Sequence, residues 1–226
     1  MKTKYEYSLK YISKKHRKLY EFVASKSSGI IVSDLDYKIP MSQTDTECIF
    51  IPNPINTDII KFTELTIKDK IIIFHGTNKL STIKKGNSIF DQALNIIQEK
   101  YPSKIKVICV NSLPYKLYNK SYEEAHILLD QVYSYDQGYN ALEAMARGKV
   151  VFTGAETEFT KQYNLSEKVA INALPDVNYL VNELSFLIEN PQEIIAIGKR
   201  ARGFIEKEHL YIEIAKKYLI TWSKPL

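Results

Sequence analysis

The sequence predicts an α/β domain built on a parallel sheet and closed by an all-helical tail. Three observations carry that reading. From residue 70 onward, short apolar runs of strand length alternate with longer amphipathic stretches, the pattern of a parallel sheet covered on both faces. The run from Asp136 to Phe152 reads as a glycine-opened helix that feeds directly into a buried strand. From Asp176 to Trp222 only helical periodicity remains.

Lys14 to Ser25 predicts a helix, and Gly29 to Asp34 a short buried strand that ends in polar residues. A turn-rich stretch leads to a second strand at Cys48 to Ile51. Pro52 and Pro54 then fix the backbone as extended and end regular structure, so residues 52–69 are expected to be a linker. In the next region Lys70 to His75 predicts a strand and Gly86 to Lys100 a helix whose apolar positions are Ile89, Phe90, Ala93, Leu94, Ile96 and Ile97. Further strands are expected at Ile105 to Val110, His126 to Asp130, Val150 to Thr153 and, more weakly patterned, Val169 to Ile171. Ligands of such a sheet sit at the carboxyl ends of its strands. Helices at Asp176 to Glu189, Pro191 to Glu206 and Glu208 to Trp222 complete the chain, with Pro191 suited to a first helical turn. Gly148 is placed to stop the preceding helix.

Composition narrows the function classes. With 45% hydrophobic residues and no apolar run long enough to span a bilayer, the chain reads as soluble and globular, and Met1 to Tyr11 has no signal-peptide core. Cys48 and Cys109 are far apart in strand-like surroundings, which predicts buried free thiols in a reducing cytoplasm. The net charge of +5 is uneven: residues 1–28 hold eight basic and two acidic side chains, a local +6 that leaves the remainder at −1. That distribution argues against nucleic acid. It leaves a basic, tyrosine-rich first helix that is either a solvated face or a contact for anionic lipid at the inner face of a membrane.

Gly138 opens a helix whose first-turn N–H groups suit a phosphate or diphosphate, and Glu143 stands about one and a half turns further on. From the helix alone, Glu143 either makes a local cap or salt bridge or receives a ligand. The segment Gly-Tyr-Asn-Ala-Leu-Glu-Ala-Met-Ala-Arg-Gly-Lys-Val-Val, from Gly138 to Val151, resembles the nucleotide-sugar-binding segment of GT-B glycosyltransferases of the family 1 and family 4 type. Ile51-Pro52-Asn53-Pro54-Ile55-Asn56 resembles the segment between the two domains of those enzymes, and Lys85-Gly86 with Ala93-Leu94 resembles the phosphate-side lysine and its helix. Residues 48 to 155 carry the resemblance.

It implies a Rossmann-like C-terminal half at residues 70–190, C-terminal helices at 191–226, a linker at 52–69, and a remnant of the N-terminal acceptor domain at 1–51, so that the chain reads as truncated. It also implies a retaining transferase that moves a sugar from a nucleotide-diphosphate donor to a hydroxyl of a glycan or lipid-linked acceptor, in cell-surface polysaccharide or glycolipid synthesis. The alternative is an inactive nucleotide-sugar-binding module. An orphaned helix and strand would seek a second copy or a partner chain.

Residue by residue, the resemblance implies that Lys85 meets the diphosphate, that Glu143 accepts from ribose hydroxyls, and that Asp136, Gln137 and Gly138, with Tyr139 beside them, lie at the donor sugar. Tyr115 or Tyr118 would stack on the base or else be a buried core tyrosine. His75, read as a strand end at the ligand edge, would bond a phosphate or sugar hydroxyl or else be structural; Asp130-Gln131 would line the cleft or hold a loop. Two departures stand out. Thr77 follows Gly76 where the family usually has an arginine, leaving Lys79 or Lys84 as the second charge, and Tyr135 occupies the position of the family's first glutamate. No cofactor or metal is expected: no Asp-x-Asp metal motif is read at a strand end, in keeping with the metal-independent chemistry the resemblance implies, and no Gly-x-Gly-x-x-Gly follows a strand, which counts against a dehydrogenase.

Overall fold

The computed structural model of the chain describes residues 12–78, 83 and 85–223. Ser13 opens helix α1 (Lys14–Lys26) by accepting the His16 N–H. No residue of α1 is buried, and Leu19, Phe22 and Val23 face outward. Strand β1 (Ile31–Val32), helix α2 (Leu35–Met41) and strand β2 (Ile49–Phe50) follow, with the two strands paired in parallel and Ile31 opposite Ile49. The stretch expected to be only turns therefore holds a helix, capped where Asp34 accepts the Tyr37 N–H at 3.1 Å. At seven residues, with Pro40 inside, it shows no periodicity to read.

The main sheet has five parallel strands: β3 (Ile71–Thr77), β4 (Ile105–Asn111), β5 (Ile127–Leu129), β6 (Val150–Thr153) and β7 (Ile171–Asn172). Their spatial order is β4-β3-β5-β6-β7. The crossovers carry α3 (Asn87–Lys100), α4 (Tyr115–Ser121), α5 (Tyr139–Ala146) and α6 (Thr157–Gln162). Helices α4 and α6 were not foreseen from the sequence; neither exceeds two turns. The tail forms α7 (Val177–Glu189), α8 (Pro191–Glu208) and α9 (Tyr211–Trp222).

Strand parity divides the core in two. Ile71, Ile73, Ile127, Leu129, Val150 and Phe152 join the side chains of α3 and α7, whereas Phe74, Leu128 and Val151 join those of α5 and α8. The small residues Ala141, Ala144 and Ala146, all fully buried, let α5 lie close on its neighbours. Each fully buried large aliphatic or aromatic side chain stabilises the fold by roughly 1.5–3 kcal/mol relative to exposure.

Residues 52–69 contain no helix or strand of two or more residues, yet they are held tightly. The Ile55 N–H donates to His209 O at 2.7 Å and the Tyr211 N–H returns to Ile55 O at 3.2 Å, so the turn between α8 and α9 is pinned on this segment. His209 is buried, and burial pushes its pKa down to about 4; the neutral ring donates through Nδ1 to Asn53 O at 2.8 Å. The expectation of two buried thiols is corrected: Cys109 is exposed on the edge strand β4 and Cys48 is half-buried, both free. Among the described residues, no helix is long and apolar enough to cross a membrane.

Gly148 follows α5 with φ +81°, a conformation that costs L-residues with a side chain, and the Phe62 ring stands where its Cβ would be. Gly198 of α8 faces the Gly148 carbonyl oxygen so closely that a Cβ there has no room. Substituting Gly198→Ala is accordingly expected to lower the unfolding free energy by about 1–3 kcal/mol despite alanine's better helix propensity. Urea unfolding checks this, and an unchanged or raised midpoint would show that α8 does not pack on the Gly148 turn.

Candidate functional site

In chain order the strands run outward from β3 to β4 and then return to the other side of β3 as β5. The carboxyl ends of β3 and β5 thus flank the point where the winding reverses, the place where open α/β sheets leave a crevice. β3 ends at Thr77 and β5 at Leu129. A cavity of about 190 Å³ lies there, walled by Gly76, Thr77, Lys85, Tyr118 and Asn140 among others.

Asp130, the residue after β5, is only 1% exposed. Its Oδ1 accepts from Lys85 Nζ at 2.6 Å and from Asn140 Nδ2 at 2.6 Å. Lys85 precedes Gly86, the N-cap of α3, and Asn140 lies in the first turn of α5. One buried carboxylate therefore gathers a cation and the N-termini of two helices around one cavity. Gly86 has φ +67°, and a Cβ there would meet the Val132 side chain. Neither Gly86 nor Gly138 caps its helix with a side chain, and no heavy atom stands within 4 Å of where a Cβ of Gly138 would lie. Such a place presents helix N–H dipoles to an anion. Lys79 and Lys84, the candidates for a second charge, lie outside the described residues.

Glu143, in the middle of α5, sits near Arg147 with Nη1 to Oε2 at 3.7 Å, and both of its carboxylate oxygens lie 2.8 Å from the Tyr115 hydroxyl. Tyr115 opens α4 directly after Pro114 and is 65% exposed. Tyr118, by contrast, packs edge-on to Phe74 and Tyr122. Its ring fills the place of a Gly76 Cβ, and desolvation pushes the pKa of its hydroxyl well above the usual tyrosine value. Of the two tyrosines proposed for stacking, Tyr115 is the one with an open ring.

Asp136 and Gln137 are turned into the protein. Asp136 Oδ2 accepts the Leu35 N–H at 2.9 Å, and Gln137 Nε2 donates to Gly154 O at 2.6 Å. They fix the loop that presents Gly138, while Tyr139, about half exposed, lies beside it. Tyr135 contributes its N–H, donated to Asp36 Oδ1 at 2.8 Å. His75 does not end its strand: β3 runs two residues further, and the ring is fully buried on the α3 face, edge-on to Phe90. Its Nδ1 lies 3.2 Å from Leu129 O, and burial lowers its pKa against the opposing Leu129 carbonyl and the nearby Asp91 and Asp130 charges, so the ring is neutral and packed beneath the end of β5.

The sequence reading of strand ends also overlooked one acidic pair. Asp34 and Asp36 follow β1, and one carboxylate oxygen from each and from Asp136 lie within 4.8 Å of one another. These carboxylates bind backbone: Asp34 the Tyr37 N–H, Asp36 the Tyr135 N–H, Asp136 the Leu35 N–H. The segment before Pro52 and the Gly138 loop are thereby cross-tied.

The family model described as glycosyl transferase-like matches residues 79–220. The chain belongs to that family. Its structure is similar to that of TarM, with a TM-score of 0.69 at 18% identity, over 93% of this chain and 46% of TarM. HepE from Anabaena, crystallised with UDP and glucose, aligns with a TM-score of 0.64 at 15% identity, over 88% of this chain and 64% of HepE. The C-terminal domain of the glycosyl transferase group 1 protein LpcC from Francisella tularensis aligns with a TM-score of 0.51 at 17% identity, over 69% of this chain and 98% of that domain. No curated protein matches the chain. These likenesses show the GT-B Rossmann-like fold, and the chain spans about half the length of TarM.

Desolvation, with Asp34 and Asp36 alongside, raises the pKa of Asp136 from 3.8 to about 7. Between these values the folded chain keeps a proton that the unfolded chain has lost, so the Asp136 contribution to stability falls as pH rises from about 4 to about 7 and is level above that. Asp136→Asn, which is neutral throughout, is expected to flatten this part of the stability profile. Urea midpoints taken from pH 4.5 to 8 test it; an unaltered slope in the variant would mean that Asp136 is ionised in the fold.

Proposed function

We propose that the chain is the donor-binding half of a GT-B glycosyltransferase. It holds a nucleotide-diphosphate sugar at the carboxyl ends of β3 and β5, and the sugar passes to an acceptor hydroxyl with retention at the anomeric carbon. The observation that carries this reading is the convergence of Lys85 and the glycine-headed N-termini of α3 and α5 on Asp130.

Breaking the sugar–phosphate bond adds negative charge to the leaving diphosphate. Donors already fixed around that group stabilise the transition state more than the ground state. Lys85 supplies a point charge held in place by Asp130, and the helix N-termini supply N–H dipoles. Glu143 would accept from the ribose hydroxyls, and Gly138 leaves room for the sugar. HepE, crystallised with UDP and glucose, supports a uridine nucleotide as the first donor to try. Synthesis of a cell-surface polysaccharide or glycolipid is the proposed setting.

A second reading is a nucleotide-sugar-binding module that works with a partner chain. It is favoured by α1, where Leu19, Phe22 and Val23 are 58%, 63% and 52% exposed on a helix that buries nothing.

Two substitutions test the donor site. Lys85→Ala is expected to weaken uridine or guanosine diphosphate binding far more than binding of the matching nucleoside, because only the diphosphate presents the charge. Equal losses, measured calorimetrically, would remove Lys85 from the phosphates. Glu143→Ala is expected to cost roughly 1–3 kcal/mol in nucleotide binding without loss of the fold, and unchanged affinity would leave Glu143 a structural residue.

A further inference from the structure

In the proposed reading the carboxylate of Glu143 receives two ribose hydroxyls, whereas in the structure it receives one hydroxyl from the protein. The Tyr115 oxygen stands 2.8 Å from Oε1 and 2.8 Å from Oε2, equidistant from the two atoms a vicinal diol would use. We propose that Tyr115 is an affinity- and specificity-setting residue of the donor site, a placeholder that competes with ribose for Glu143 and, once displaced, turns its ring to the base. The inference rests on the donor-site reading above.

The exchange is favourable on simple counting. A phenol has one proton to share between two carboxylate oxygens, while a ribose diol gives each oxygen its own. A nucleotide with a 2′,3′-diol therefore displaces Tyr115, and one lacking the diol leaves the tyrosine in place. Tyr115 is free to move because its ring is 65% exposed, at the first position of a two-turn helix. The turn before it runs through Ser112, with φ +50°, and Pro114. Arg147 Nη1 donates to the Glu143 main-chain carbonyl at 2.9 Å and stands 3.7 Å from Oε2, so a cation remains beside the carboxylate while Tyr115 leaves. A released tyrosine ring is suited to stacking on a base.

The test is calorimetric titration with uridine and guanosine diphosphates and their 2′,3′-dideoxy counterparts. Tyr115→Phe, a conservative change at an exposed site, removes the competing hydroxyl and keeps the ring. It is expected to bind the ribose-containing diphosphate about two- to tenfold more tightly than the unaltered chain, the scale of the net worth of one ordinary hydrogen bond. The dideoxy form should show no such gain, and Tyr115→Ala should fall below Tyr115→Phe. In a Glu143→Ala background the gain should vanish. A residue with only a structural role does not improve binding when its hydroxyl is removed. If the unaltered chain prefers the ribose form but Tyr115→Phe is no tighter, the placeholder is overturned and the donor site stands. If the chain binds ribose and dideoxy forms alike, or binds neither diphosphate, the ribose role of Glu143 falls and the placeholder with it.

Discussion

The contact on which the site depends is the buried carboxylate of Asp130. An ionised group 1% exposed is costly unless its charge and lone pairs are met, and here one oxygen meets both Lys85 and Asn140. Asp130 follows β5, Lys85 precedes α3 and Asn140 belongs to α5, so a single atom ties its own segment to two others, 45 and 10 residues away in sequence. Backbone bonds reinforce the arrangement: Asp130 N–H to Phe152 O at 2.9 Å and Val132 N–H to Lys85 O at 3.0 Å. The loop after β5 is thereby sewn to β6 on one side and to the start of α3 on the other. A lysine on a flexible stem becomes a fixed charge at the sheet's winding reversal.

The part of the chain before Pro52 joins this frame by reciprocal backbone capping. Asp36 takes the Tyr135 N–H and Asp136 takes the Leu35 N–H, so each segment caps the other. Beyond Pro52, Ile55 pairs separately with the turn between α8 and α9. These ties have different electrostatic costs. The Ile55 pairing is neutral backbone, whereas the aspartate ties crowd three carboxylates together, and a raised pKa is the natural response of the most buried one. The Gly138 loop is therefore held by acids that do not face the Lys85 cavity.

The sequence displayed the sheet well because strands buried on both faces read as continuous apolar runs, as Ile71-Ile72-Ile73-Phe74 and Val150-Val151-Phe152 do. It also displayed α3 and the tail helices, whose lengths of 12 to 18 residues allow a periodicity to be counted. Helices α2, α4 and α6, at six or seven residues, are too short for that. His75 misled because a polar residue before Gly76 looks like a strand end, yet parity sets it with Ile71 and Ile73, and a carbonyl partner makes the ring tolerable there. The glycine-headed helix and Lys85 were visible as local motifs. The partners that give them meaning were not: Tyr115 reaches Glu143 across 28 residues and Leu35 reaches Asp136 across 101.

The departures from the family's pattern fit together once charge is counted locally. Thr77 stands where an arginine is usual, and its Oγ1 is engaged by Val110 O and the Asn111 amide. Tyr135 stands where the resemblance implies a glutamate on the sugar side of the proposed donor site. Under the proposed reading, one cation and one anion have been dropped together, and Lys85 is paired with Asp130. The described cleft therefore gains little attraction from net charge and must rely on groups already aimed, a lysine fixed by Asp130 and two helix N-termini. Fixed dipoles lose none of their strength to reorganisation when a diphosphate arrives, whereas unpaired surface charge is screened within about 8–10 Å at physiological salt. Under the proposed reading, affinity for donor in such a site is set by preorganisation, and that is the ground for expecting leverage from the exposed tyrosine on Glu143.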